Sequence, residues 1–167
     1  LDSLREVGVA RDATIYFQGV PILYTPWIDF PLGSRRKTGF LAPLVGTTNN
    51  SGFEVSLPFY WNIAPNRDYT LTTRLLAKRG VQFNNDARYL EPTFQGRLRA
   101  DVLPHDRIAD ETRWAYSFQH SQLRTERLRG FINVQGVSDN NYFIDLSTKV
   151  AATSQTNLPR EFGLTYN

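Results

Sequence analysis

The sequence has no cysteine and no methionine. Without cysteine there is no internal disulfide and no thiolate metal site. Without methionine, residue 1 is not a natural start, because whole genes rarely lack every Met. The closing run Phe162-Gly163-Leu164-Thr165-Tyr166-Asn167 reads as a strand cut in mid-course. The expectation is a segment excised from a longer protein. No run approaches the ~18 apolar residues of a transmembrane helix, which excludes helical spanning but not spanning by strands. Charge of one sign is scarce too: 19 basic side chains stand against 16 acidic ones, for a formal charge of +3. Arg35-Arg36-Lys37 is the single basic cluster, and three cations read as a solvated turn rather than a nucleic-acid site.

Catalytic chemistry is equally sparse. His105 follows a proline and His120 ends an aromatic run, and neither has a metal-ligating partner at usable spacing. There is no G-x-S-x-G and no phosphate-binding glycine loop. His120 beside Ser117 or Ser121 is too weak a signal for a hydrolase. Asp106, Asp110 and Glu111 form an acidic loop that could hold a cation, with ordinary solvation as the favoured expectation. The reading is of a chain with no catalytic residue, no metal and no cofactor, and not of an enzyme.

What is present is period-two alternation. From Asp68 to Lys78, Tyr69, Leu71, Thr73, Leu75 and Ala77 share one face, and only Leu76 breaks the polar face opposite. Lys78-Arg79-Gly80 turns the chain, and Val81, Phe83, Ala87 and Tyr89 resume the pattern, predicting a hairpin around Gly80. Glu91-Pro92-Thr93 is the next turn. Phe94 to Val102 alternates, a polar loop from Pro104 to Arg113 follows, and Trp114 to His120 alternates again. Arg124 to Arg127 turns into Leu128 to Gly136, where Phe131 is out of step; upstream, Phe53 to Trp61 shows the same period. Val137 to Arg160 reads as a long polar loop with a helical turn near Tyr142 to Leu146.

These strands run to ~9–11 residues, against five or six in soluble sheets. Trp61, Tyr69, Tyr89, Phe94 and Trp114 near strand ends have the placing of an interfacial aromatic girdle. A mean hydropathy of −0.40 suits a membrane barrel and a soluble sheet with one wet face alike. The first 31 residues differ: Pro21, Pro26 and Pro31 separate short apolar runs without long alternation, as at the edge of another β-domain with its linker.

Two prolines lie inside runs that otherwise read as strand: Pro43 in Phe40-Leu41-Ala42-Pro43-Leu44-Val45, and Pro58 in Val55-Ser56-Leu57-Pro58-Phe59-Tyr60. Proline supplies no ladder N–H, so these positions suit an edge, a bulge or a seam that opens.

The run Arg35-Arg36-Lys37-Thr38-Gly39-Phe40-Leu41-Ala42-Pro43 resembles the barrel start of the LptD family of LPS-assembly proteins, also called organic solvent tolerance proteins. Leu57-Pro58-Phe59-Tyr60-Trp61-Asn62-Ile63-Ala64-Pro65-Asn66 is similar to that family's most distinctive stretch, and Lys78-Arg79-Gly80, Arg88-Tyr89-Leu90, Leu103-Pro104 and Val137-Ser138-Asp139 add matches in order. Tyr16-Phe17-Gln18-Gly19-Val20-Pro21 resembles the end of its jelly-roll. The resemblance implies an all-β fold. Residues 1–31 would end a periplasmic jelly-roll, and residues 32–167 would supply about seven or eight strands of an outer-membrane barrel. It also implies a lipopolysaccharide translocon plugged by the lipoprotein LptE and fed through the jelly-roll by the periplasmic LptA bridge. Pro43 and Pro58 match the two prolines to which the family's weakened lateral gate is attributed. The competing expectation is a soluble periplasmic β-sandwich that binds carbohydrate or lipid.

Overall fold

The computed structural model describes residues 7–17, 19–31, 36–123, 128–146 and 160–166. Strands β1 (Val7–Phe17) and β2 (Val20–Pro31) pair antiparallel from Val7 opposite Pro31 to Phe17 opposite Val20. Gly19, at φ 81°, makes the tight reversal between them. Strands of 11 and 12 residues are longer than the proline-broken runs led us to expect. The hairpin tolerates its prolines by register. The ladder slips between Ile15 and Tyr16, where Pro21 enters, and Pro26 faces Asp12, a position at which pairing is skipped. A two-stranded ribbon has a free edge on each strand, so a missing donor there costs little.

The larger sheet is an antiparallel meander. It runs through β3 (Gly39–Phe40), β4 (Leu44–Thr48), β5 (Gly52–Ala64), β6 (Arg67–Leu76), β7 (Gly80–Leu90), β8 (Phe94–Asp106), β9 (Glu111–Leu123), β10 (Leu128–Val137) and β11 (Arg160–Tyr166). β3 and β4 both pair with β5, as two pieces of one interrupted strand, and each later strand pairs with its predecessor. The sheet stays open, with β3 and β4 at one end of its order and β11 at the other.

The hairpin around Gly80 forms as predicted, with Leu76 opposite Gly80 and Arg67 opposite Tyr89. The polar loop expected from Pro104 to Arg113 shrinks to residues 107–110, because β8 and β9 run on to pair Asp106 with Glu111. Asp106 closes that turn itself: its carboxylate accepts the Ile108 N–H at 2.9 Å, and its carbonyl accepts the Asp110 N–H at 2.7 Å. The turn expected at Arg124–Arg127 lies outside the described residues. The helical turn is α1 (Tyr142–Leu146), and the rest of that long segment, residues 147–159, also lies outside them.

Burial is inverted relative to a soluble sheet. Pairing puts directly opposite residues on one face, so Glu54, Leu76 and Gly80 share a face, as do Arg74 and Gln82, and Leu103 and Arg113. This polar face holds the buried residues: Leu76, Leu103, Asp68, Arg74, Gln82, Asp106 and Arg113. The apolar face is the open one, with Trp61 51% exposed, Leu75 50%, Leu98 43% and Trp114 41%. Its aromatics form two bands. Trp61 pairs with Tyr69 and Tyr89 lies against Phe94 near the turns at one end, while Trp114 stacks on Tyr116 towards the other.

Candidate functional site

The first hairpin carries the local irregularity. Phe40 faces Phe59 and Leu44 faces Ser56, so the three residues Leu41, Ala42 and Pro43 face only Leu57 and Pro58. That one-residue excess is a bulge, and it separates β3 from β4. Leu41 donates its N–H to the Pro58 carbonyl at 2.9 Å. In a regular antiparallel ladder, residues bonded this way exchange two bonds, and Pro58 has no N–H to return.

N–H and C=O of one strand residue point to the same side, so the missing Pro58 donor faces β3 and β4. The opposite side is unaffected: β5 pairs with β6 without a break from Glu54–Leu76 to Asn62–Asp68, with Pro58 opposite Thr72. The missing Pro58 donor thus lies on the side of β3 and β4, and Pro43 stands in the bulge of the facing strand. Below the bulge the ladder is only two pairs long, and side chains extend the contact. The Asn62 N–H donates to Thr38 Oγ1 at 3.0 Å, the Asn62 amide donates to the Arg36 carbonyl at 3.2 Å, and Phe40 packs edge-on against Phe59 at 5.1 Å. Above it, β4 has a full ladder of five pairs with β5.

Beside this hairpin the polar face is a lattice of ion pairs. Arg88 holds both oxygens of the buried Asp68 at 2.7 and 2.9 Å; Tyr60 adds its hydroxyl at 3.3 Å and Arg36 a guanidinium nitrogen at 3.4 Å. Arg97 grips Asp86, and Arg99 stands 3.7 Å from it. Burial costs such charges less when each lone pair has a donor.

Leu76, the exception on the polar face, is 2% exposed and packs with Leu103, Tyr142 and Leu146 in a small core where α1 folds onto that face. Around it lies a cluster that sequence reading missed. Arg113, 1% exposed, forks onto both Asp139 oxygens at 2.7 and 2.9 Å and reaches Asp106 at 3.1 Å and Asp145 at 2.8 Å. Arg79 bonds Asp106 at 2.6 Å and Asp145 at 3.2 Å. Asp106, expected in a solvated loop, is 0% exposed, because these two guanidiniums meet on it. Burial works to raise the Asp139 carboxyl, but hydrogen bonds from Arg113 and Ser138 outweigh it and hold it below the usual carboxylate range. Burial, helped by Asp101, pushes the Tyr142 phenol up.

His105 and Asp110 are exposed, 3.9 Å apart. His120 meets the Tyr89 hydroxyl and stacks on Phe118. Strand alternation places Ser117 and Ser121 on the face opposite His120, which separates the one Ser/His juxtaposition of the sequence. Among the described residues no group of three His, Asp or Glu side chains is disposed to hold a metal.

A family model described as LptD protein matches residues 9–166. The chain is similar to the LPS-assembly protein LptD of Nitrosomonas eutropha, with 48% identity over 99% of this chain and 23% of that protein. Its similarity to the Nitrosomonas europaea protein of the same name is 49% over 95% and 22%, and to that of Cupriavidus pinatubonensis 47% over 100% and 21%. The chain thus spans under a quarter of the length of these relatives. The family model's match over residues 9–166 and these identities over nearly the whole chain give one assignment: the chain belongs to the LptD family.

Proposed function

We propose that this chain supplies the first wall strands of an outer-membrane barrel that inserts lipopolysaccharide into the outer leaflet, and that Pro43 and Pro58 mark one side of its lateral gate. The observation that carries the gate is the one-way bond from Leu41 to Pro58 at the end of the sheet. A net backbone hydrogen bond is worth about 1 kcal/mol, so a strand that lacks bonds to its neighbour parts from the sheet more cheaply than a regular one. The barrel reading rests on the inverted burial: a lipid-facing apolar surface with polar groups gathered on the inner face. The relatives' name, LPS-assembly protein, supplies the cargo.

In this reading residues 1–31 end the periplasmic jelly-roll that receives lipid from the LptA bridge, and residues 32–167 begin the barrel, whose lumen the LptE lipoprotein plugs. The work is transport of a finished lipid, with no bond made or broken, so the role is that of a translocon component and not an enzyme. A soluble carbohydrate-binding sandwich would need a second sheet over the apolar face; among the described residues that face is open.

The test replaces Pro43 and Pro58 together by alanine in the whole parent protein. Reduced surface lipopolysaccharide at normal protein level, with altered permeability to large antibiotics, is expected. Wild-type surface lipid and permeability would overturn the gate assignment.

A further inference from the structure

The segment from Ser138 to Leu146 does more than cover the small core. Its far end is seated on the turn of the first hairpin. Three α1 carbonyls, those of Ile144, Asp145 and Leu146, close the described end of the helix. Each is met from the sheet: Asn50 Nδ2 donates to Ile144 O at 2.9 Å, Ser51 Oγ to Asp145 O at 3.3 Å, and Arg74 Nη1 to Leu146 O at 3.0 Å. Asn50 and Ser51 belong to the turn between β4 and β5. The near end is anchored elsewhere, on β9: the Ser138 N–H donates to the Trp114 carbonyl at 2.8 Å, and Asp139 takes the Arg113 fork. Between the two ends, Arg79 ties the parts together, donating to the Asn50 carbonyl at 3.0 Å while pairing with Asp106 and Asp145.

We propose that Ser138–Leu146 is an inner strap that fixes the turn end of the first hairpin to β8 and β9, so that separation of the first strand is confined to the stretch before Pro43. The two halves of that strand are held differently. β4 has its full ladder and the strapped turn; β3 has two paired residues and side-chain substitutes, with the bulge as hinge between them. The consequence for lipid exit rests on the gate reading, but the seat of the strap does not.

The test uses the whole parent protein in its membrane. Asn50→Cys and Ile144→Cys, both at exposed positions, are joined by a short bis-maleimide, with each single variant as control. A cross-link in the double variant alone is expected; its absence from folded protein overturns the proposal. Amide exchange then reads the strand itself. Asn50→Ala with Ser51→Ala leaves the ionic cluster intact and removes two of the three contacts that cap α1. Exchange at Leu44–Thr48 is expected to rise several-fold in that variant while β8 and β9 keep their protection, and unchanged exchange at Leu44–Thr48 overturns the strap's role. Proline variants with unaltered lipid export would sink the gate reading and leave the cross-link result standing.

Discussion

Leu41 gives its N–H to Pro58 and receives none back. The Pro58→Ala substitution restores the donor on the side that faces Leu41 without touching the β5–β6 ladder. The added bond, about 1 kcal/mol, corresponds to roughly fivefold slower exchange of the amides around Leu41. Amide exchange of the parent protein checks this, and an unchanged rate would show that the bulge, not the missing donor, sets the looseness of the seam.

Gly80 turns β6 into β7 at φ +126°, and a Cβ built there would lie 2.9 Å from the His105 carbonyl oxygen. Alanine is strained by its backbone and crowded by its neighbour. Gly80→Ala is expected to destabilise the fold by about 1–3 kcal/mol, whereas at Gly46 a new Cβ meets only the Glu54 side chain at 3.7 Å and has little effect. The temperature at which the folded band disappears in a heated gel compares the two. Equal losses would contradict the account of the turn.

Among the described residues Arg113 is the one guanidinium common to Asp106, Asp139 and Asp145. Arg113→Ala leaves the buried Asp106 and the half-buried Asp139 and Asp145 short of a partner and is expected to cost about 3–5 kcal/mol. Arg113→Lys keeps the charge but loses the fork onto Asp139, so it falls between wild type and alanine. Thermal stability of the three proteins orders them; a lysine variant no better than alanine would show that the planar fork matters more than the charge.

The strap is also acid-sensitive in a defined direction. Asp139 faces Arg113 from β9, Ser138 and the Asn141 N–H within its own loop, and shares Arg113 with Asp106 and Asp145. Its folded carboxyl lies below the ordinary value of 3.8. The stabilisation is therefore complete above that value and is lost as pH falls through the lowered one. Protection of the Leu44–Thr48 amides, corrected for the intrinsic exchange rate at each pH, should hold level from pH 7 to 5 and decline only below about pH 4. A decline between pH 6 and 5 would point to a group other than this carboxylate.

The parts legible in the sequence were those with local signals. Alternation located β5 to β10, Gly80 located its hairpin, Pro43 lies where the first strand is interrupted, and Leu76 stood out as the exception on a polar face. The partners of Leu76 were not legible, because Tyr142 and Leu146 lie some seventy residues on and arrive only through folding. Arg79 and Arg113 look in sequence like solvated charges, and it is the fold that buries them, with Asp145 of α1 as a shared partner. Asp106 was misplaced for the same reason, Pro104 and its charged neighbours having disguised the continuation of β8. The β1–β2 ribbon was underestimated because prolines that break an interior strand are tolerated along an edge.

The gate reading places lipid at one seam of the sheet, and photo-cross-linking of the parent protein in growing cells tests that most directly. A photoreactive residue at Leu41 or Leu44, beside the bulge, should capture lipopolysaccharide, while the same residue at Leu98, on the exposed apolar face of β8, should capture little. Equal capture at Leu98, or none at Leu41 and Leu44 in cells actively exporting the lipid, would contradict it.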